Sequence, residues 1–157
     1  MSIRLAFDLS RSAIRAARAR MTRTLASVGF SVDPTAHLVR LVCVRDPTVV
    51  ELATTIAGIL AHPEYRPTFS FLADCTAIAI PPTPAYVRQF VSFMEAQRVE
   101  LLPGVRWAQV VQPGGPFGMA RIGGMLGAEK LVEYKVFTEV AAGERWLASP
   151  AIEPEER

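Results

Sequence analysis

Few side chains in this sequence could do covalent chemistry, and their placement along the chain limits what they could do. There are two cysteines, Cys43 and Cys75, and two histidines, His37 and His62. A thiol nucleophile needs a lowered pKa or a base beside it. Cys75 sits near a predicted helix N-terminus, which would favour a thiolate. However, His37 falls in a predicted hairpin and His62 at a helix end, so no base is expected near it. A buried, inert Cys75 is the simpler expectation. Two cysteines do not make a disulfide scaffold, and two distant histidines do not make a metal site. The run Gly114-Gly115-Pro116-Phe117-Gly118 lacks both the G-x-G-x-x-G spacing and a phosphate-loop lysine. No catalytic residue, metal or cofactor is expected.

A second group of residues fits binding better than catalysis. Asp74 closes a predicted strand, with Thr76 just after it. Thr83 precedes Pro84 at a helix start, and Gly118 and Arg121 lie at another. Ligands of open α/β sheets sit outside the carboxyl ends of the strands. These five residues are the candidate ligand or partner site. Each has a plainer alternative. Asp74 could hold loop N–H groups and fix a turn. Thr83 could only cap its helix, although the helix dipole there favours anions. Glycines near 118 could serve tight chain reversal. Arg121 could pair with an anionic ligand or Asp74, or stay solvated.

Several elements must position these residues. Residues 27–32 alternate, with Val28, Phe30 and Val32 on one face, and read as a strand. Asp33-Pro34-Thr35-Ala36 is a turn, and 37–44 is a second strand with Val39, Leu41 and Cys43 on one side. Together they predict a hairpin. Asp46-Pro47 is expected to open a helix, Asp as cap and Pro in first position. Its stripe is Val49, Leu52, Ala53, Ile56 and Leu60, and Pro63 ends it. Residues 68–75 are apolar almost throughout, as in a strand buried on both faces. Thr83-Pro84 starts a helix to about 101, apolar around more than half its girth (Tyr86, Val87, Phe90, Val91, Phe93, Met94). A strand over 105–112, a helix over 117–126 and a strand over 131–137 follow. The glycines at 123, 124 and 127 predict that this third helix is short or mobile. Thr138 is expected to cap a last helix, with Val140, Trp146 and Leu147 inward. The order ββαβαβαβα predicts an α/β fold: an open, mostly parallel sheet with an N-terminal antiparallel hairpin.

Composition agrees with one domain. The chain has 157 residues, 50% hydrophobic and 20% charged, enough to bury a core. The longest uncharged stretch, 107–120, is broken by proline and glycine. A membrane-spanning helix needs ~20 apolar residues, so no stable membrane insertion is expected. Charge is uneven. Residues 1–23 hold six arginines and one acid, a net +5, while the remaining 11 bases and 14 acids give −3. This basic arm could contact anionic lipid or nucleic acid, act as a targeting segment, or be a leader with Met21 starting the folded unit. The arm's one aromatic residue, Phe7, lies between Arg4 and Arg11 with none among the later arginines, and no nucleic-acid partner is expected. It also lacks a secretory apolar core. The expected layout is an arm at 1–23, a domain at 24–149 and a frayed tail at 150–157, in the cytoplasm.

Four short stretches carry a family resemblance. They are Phe71-Leu72-Ala73-Asp74, Trp107-Ala108-Gln109-Val110-Val111, Phe117-Gly118-Met119-Ala120-Arg121, and Val136-Phe137 followed by Ala142 and Arg145-Trp146-Leu147. In order and spacing the chain from Ser27 to Ser149 resembles the STAS, or SpoIIAA-like, superfamily. The nearest branch is the small bacterial proteins grouped with the CRAL-TRIO lipid-transfer fold. The resemblance implies a β–α superhelix and a regulatory or ligand-sensing module. Well-known relatives are anti-sigma-factor antagonists, switched by phosphorylation of a serine after the third strand. Here that position reads Asp74-Cys75-Thr76-Ala77, without serine. Thr76 and Thr83 are the nearby hydroxyls. Two functions follow as expectations: a non-enzymatic regulatory module that self-associates or binds a protein partner, or a small carrier of an apolar or anionic amphipathic, lipid-like ligand. An enzyme using Cys75 or Asp74 is the third and least supported reading.

Overall fold

In a computed structural model, residues 27–96, 105–116, 118, 120–121 and 133–150 are described. The basic arm, the tail beyond 150, the end of the second predicted helix and the glycine-rich 123–127 stretch lie outside them. The elements are β1 (Val28–Asp33), β2 (Leu38–Cys43), α1 (Val49–Leu60), β3 (Ser70–Asp74), α2 (Pro84–Ala96), β4 (Arg106–Val110), β5 (Glu133–Phe137) and α3 (Val140–Ala148). Residues 115, 116, 118, 120 and 121 are also helical.

The five strands form one sheet in sequential order, β1-β2-β3-β4-β5. β1 and β2 are antiparallel, and every later pair is parallel. The expected α/β class and strand directions hold. The hairpin turn follows from its residues. Asp33 Oδ1 accepts from the backbone N–H groups of Thr35 and Ala36, both at 3.0 Å. His37 closes the loop at a φ of 51°.

Strand parity sorts the core into two layers. Odd-numbered Val39, Leu41, Cys43, Phe71, Ala73, Cys75 and Trp107 meet Ile56 and Ile59 of α1, Phe90 and Phe93 of α2, and Ala120. The even set of Leu38, Leu72, Ala108 and Val110 meets Phe137, Val140, Trp146 and Leu147. Phe71, Leu72 and Ala73 are all buried, which explains why that stretch reads as continuously apolar.

Two helix starts differ from expectation. Asp46 does not cap α1. Thr48 does: its side chain accepts from Glu51 N, and Glu51 in return accepts from Thr48 N at 2.8 Å. This reciprocal capping box satisfies two end donors where Asp46 could satisfy one. Pro47 is buried instead, two residues ahead of the helix. Thr138 does not cap α3 either. Glu139 occupies that position without a side-chain cap bond. The α1 stripe is also narrower than expected: Leu52, Ile56 and Ile59 are buried, whereas Val49 and Ala53 face outward.

α3 lies close to the sheet through Gly143. A Cβ there would stand 2.9 Å from Leu72 Cδ1 and 3.4 Å from Ala108 Cβ and Val110 Cγ2. Arg106 anchors its far end. Its Nη1 donates to the Ser149 carbonyl at 2.6 Å, its guanidinium lies 4.2 Å over the Trp146 ring, and its Nε stands 3.0 Å from Glu133 Oε2. Arg40 of β2 pairs with Glu144 of α3. Among the described residues, no helix is long and apolar enough to cross a membrane.

Candidate functional site

The loops leaving β2, β3 and β4 meet at the carboxyl edge of the sheet. Asp74 ends β3 with its carboxylate turned into its own loop. Oδ1 accepts from Thr76 N at 3.0 Å and from Thr76 Oγ1 at 2.6 Å. Thr76 is also held from the neighbouring loop, its carbonyl accepting from Gln112 Nε2 at 2.8 Å. A Cβ on Gly115 would stand 2.8 Å from Pro81 Cγ, so the loop after β4 lies against the loop after β3. Asp74, Thr76 and Gln112 thus clamp two loops together, and the carboxylate serves backbone and hydroxyl donors.

Thr83 ends the same loop, just ahead of α2. Its Oγ1 accepts from Tyr86 N at 3.2 Å, the N-cap bond of α2. Tyr86 then donates its hydroxyl to the Pro47 carbonyl at 2.8 Å, tying α2 to the β2–α1 loop. Burial, then the nearby Asp46 carboxyl, push the Tyr86 phenol above its ordinary range. Gly118 is exposed, with open space where a Cβ would stand, and donates its N–H to the Gly114 carbonyl at 3.0 Å. Arg121 is exposed and has no partner among the described residues, Asp74 included. The structure therefore brings Asp74 and Thr76 together and leaves Thr83, Gly118 and Arg121 as separate points along the edge.

Underneath lies a polar set around Cys75 whose partners the sequence did not single out. Trp107 Nε1 donates to Gln109 Oε1 at 3.0 Å, and Gln109 Nε2 donates to Cys75 Sγ at 3.0 Å. Cys75 contacts Cys43, and both are buried. A hydrogen bond with Cys43, reinforced by burial, holds the Cys75 thiol protonated and well above its ordinary range. The histidines are engaged in ring contacts. His37 stacks on Phe69 at 5.3 Å, and His62 meets Phe30 edge-on at 6.3 Å. The signal for the Cys43–Gln109–Cys75 set was parity: all three are odd-numbered, on β2, on β4 and one residue past the end of β3. It needed the strand order to be read.

Large aliphatic side chains are exposed on the segments around this edge. Val42, Val44, Val49, Val50 and Ile80 are the large exposed aliphatic side chains among the described residues. They lie on the end of β2, the start of α1 and the loop from β3 to α2. Beside them an open groove of about 720 Å³ is lined by Val49, Ala85, Arg88, Gln89, Ser92 and Phe93. No group of three or more His, Cys, Asp or Glu is gathered for a metal among the described residues. No family model, curated protein or solved structure matches the chain.

Proposed function

We propose that the protein is a cytoplasmic, non-enzymatic regulatory module of the STAS, SpoIIAA-like type, and that it acts by docking the carboxyl edge of its sheet against a second copy of itself. The observation that carries this reading is the exposure of large aliphatic side chains on the segments that flank that edge. Val50 is 75% exposed, Ile80 78%, Val44 56% and Val42 52%. Large side chains in such numbers on neighbouring segments mark an association surface more than chance. Charge favours a like partner. Residues 42–51 and 76–93 carry Arg45 and Arg88 against Asp46 and Glu51, so two copies meet without net repulsion. The hairpin followed by successive parallel crossovers is the winding the family resemblance implies, and it supports the module type.

Hydrogen exchange over a concentration series tests the docking. Amides of 42–50 and 76–83 are expected to gain protection as concentration rises, while 140–148 stay unchanged. Protection that is independent of concentration at 42–50 and 76–83 would contradict it. A carrier of an anionic amphipathic ligand is the second reading, favoured by the groove with Phe93 and Val49 beside Arg88. Native mass spectrometry of mildly extracted protein checks it: a bound lipid-like mass supports it, and a clean unliganded mass counts against it.

A further inference from the structure

The two cysteines lie 32 positions apart in sequence, yet the fold sets them side by side. The parallel register of β2 and β3 ends on the pair Val42 and Asp74. One step beyond, Cys43 faces Cys75. Both turn toward the α1–α2 side and belong to one core cluster. Cys43 is 6% exposed and Cys75 8%. Both thiols are free. Neighbouring strands run ~4.8 Å apart, inside the Cα separation of ~4.4–6.8 Å that a disulfide spans. A single buried cysteine behaves as a small apolar residue. Here there are two on opposed positions, with the amide of Gln109 aimed at one sulfur.

We propose that Cys43 and Cys75 form an oxidative modification site, a cross-strand dithiol that a hydroperoxide converts into an intramolecular disulfide between β2 and β3. One thiol gives up its proton, and its sulfur attacks the peroxide oxygen. The O–O bond breaks, the proton leaves with the alcohol, and a sulfenic acid remains. The second sulfur then attacks the first. The S–O bond breaks, and the hydroxyl leaves as water with the second thiol's proton. Two thiols and one hydroperoxide become one disulfide, one alcohol and one water, with two electrons passing from sulfur to oxygen. The thiolate is the reactive form, and Cys75 is held protonated. The reaction is therefore slower than that of a free cysteine at the same pH. Once formed, the link closes a loop containing α1 and stabilises the fold by restricting the unfolded chain.

The test uses the full chain and hydrogen peroxide. After exposure the protein is denatured, alkylated and weighed, then digested. The expected product is two hydrogens lighter, takes up no alkyl group and yields a peptide joining Cys43 to Cys75. Dithiothreitol restores two alkylatable thiols, and the thermal midpoint of the oxidised form rises by about 5 °C. In Cys43→Ser, Cys75 instead stops at a sulfenic or more oxidised acid. Uptake of two alkyl groups after exposure would overturn the proposal. So would a disulfide between two molecules, or one that forms only in urea, where the fold no longer sets the pair together.

Discussion

Arg106 and Asp74 stand at opposite ends of the sheet and do related work. Each commits a charged group to holding backbone in place. Arg106 is buried against Trp146, fastens the carboxyl end of α3 through the Ser149 carbonyl, and faces Glu133. A planar, fork-shaped donor suits that role, and lysine does not reproduce it. Arg106→Ala is expected to lower unfolding free energy by about 3 kcal/mol, with Arg106→Lys recovering less than half, as read by urea denaturation. Glu51 sets a pH dependence. Hydrogen bonds from Arg45 and then the Thr48 backbone hold its carboxyl at about 2, below the ordinary 4.5. A carboxyl depressed in the folded state stabilises the protein above its unfolded pKa. That contribution is lost as pH falls from about 4.5 to about 2. The thermal midpoint should therefore drop across this window, and Glu51→Gln should flatten the drop. An equal acid limb in the variant would contradict the assignment.

At the scale of elements, helix starts and helix contacts decide more than stripes do. The Thr48–Glu51 box predicts that Thr48→Ala costs about 1 kcal/mol. Gly143 predicts a larger effect. A leucine there drives into Leu72, Ala108 and Val110, so Gly143→Leu should cost about 2 kcal/mol by lifting α3 from the sheet. Both are checked by denaturant midpoints. The strands and the Thr83 cap were legible because alternation and a hydroxyl before proline are local signals. The start of α1 was misread because Asp46-Pro47 and Thr48-Val49-Val50-Glu51 offer overlapping caps. Only the second lets both side chains bond reciprocally. Asp74 was readable as a turn-fixing carboxylate. The grip of Gln112 on Thr76, the Gln109 bond to Cys75 and the opposition of the two thiols were not readable. Each joins segments whose contact depends on register between strands distant in sequence.

For the molecule as a whole, sequential strand order has a consequence for function. Among the described strands the order never reverses, so they form no crevice of the doubly wound kind. α1, α2 and Ala120 share one face, and α3 takes the other. What the carboxyl edge offers is a surface, closed by the Asp74–Thr76–Gln112 clamp and dressed with Val44, Val50 and Ile80. Static light scattering of the full chain across a concentration range, beside the double variant Val50→Asp with Ile80→Asp, tests this most directly. The wild-type mass should climb from monomer toward dimer. The variant should remain monomeric with an unchanged circular dichroism spectrum, because both positions face solvent. A wild-type chain that stays monomeric at every concentration, or a variant that associates equally well, would contradict the account.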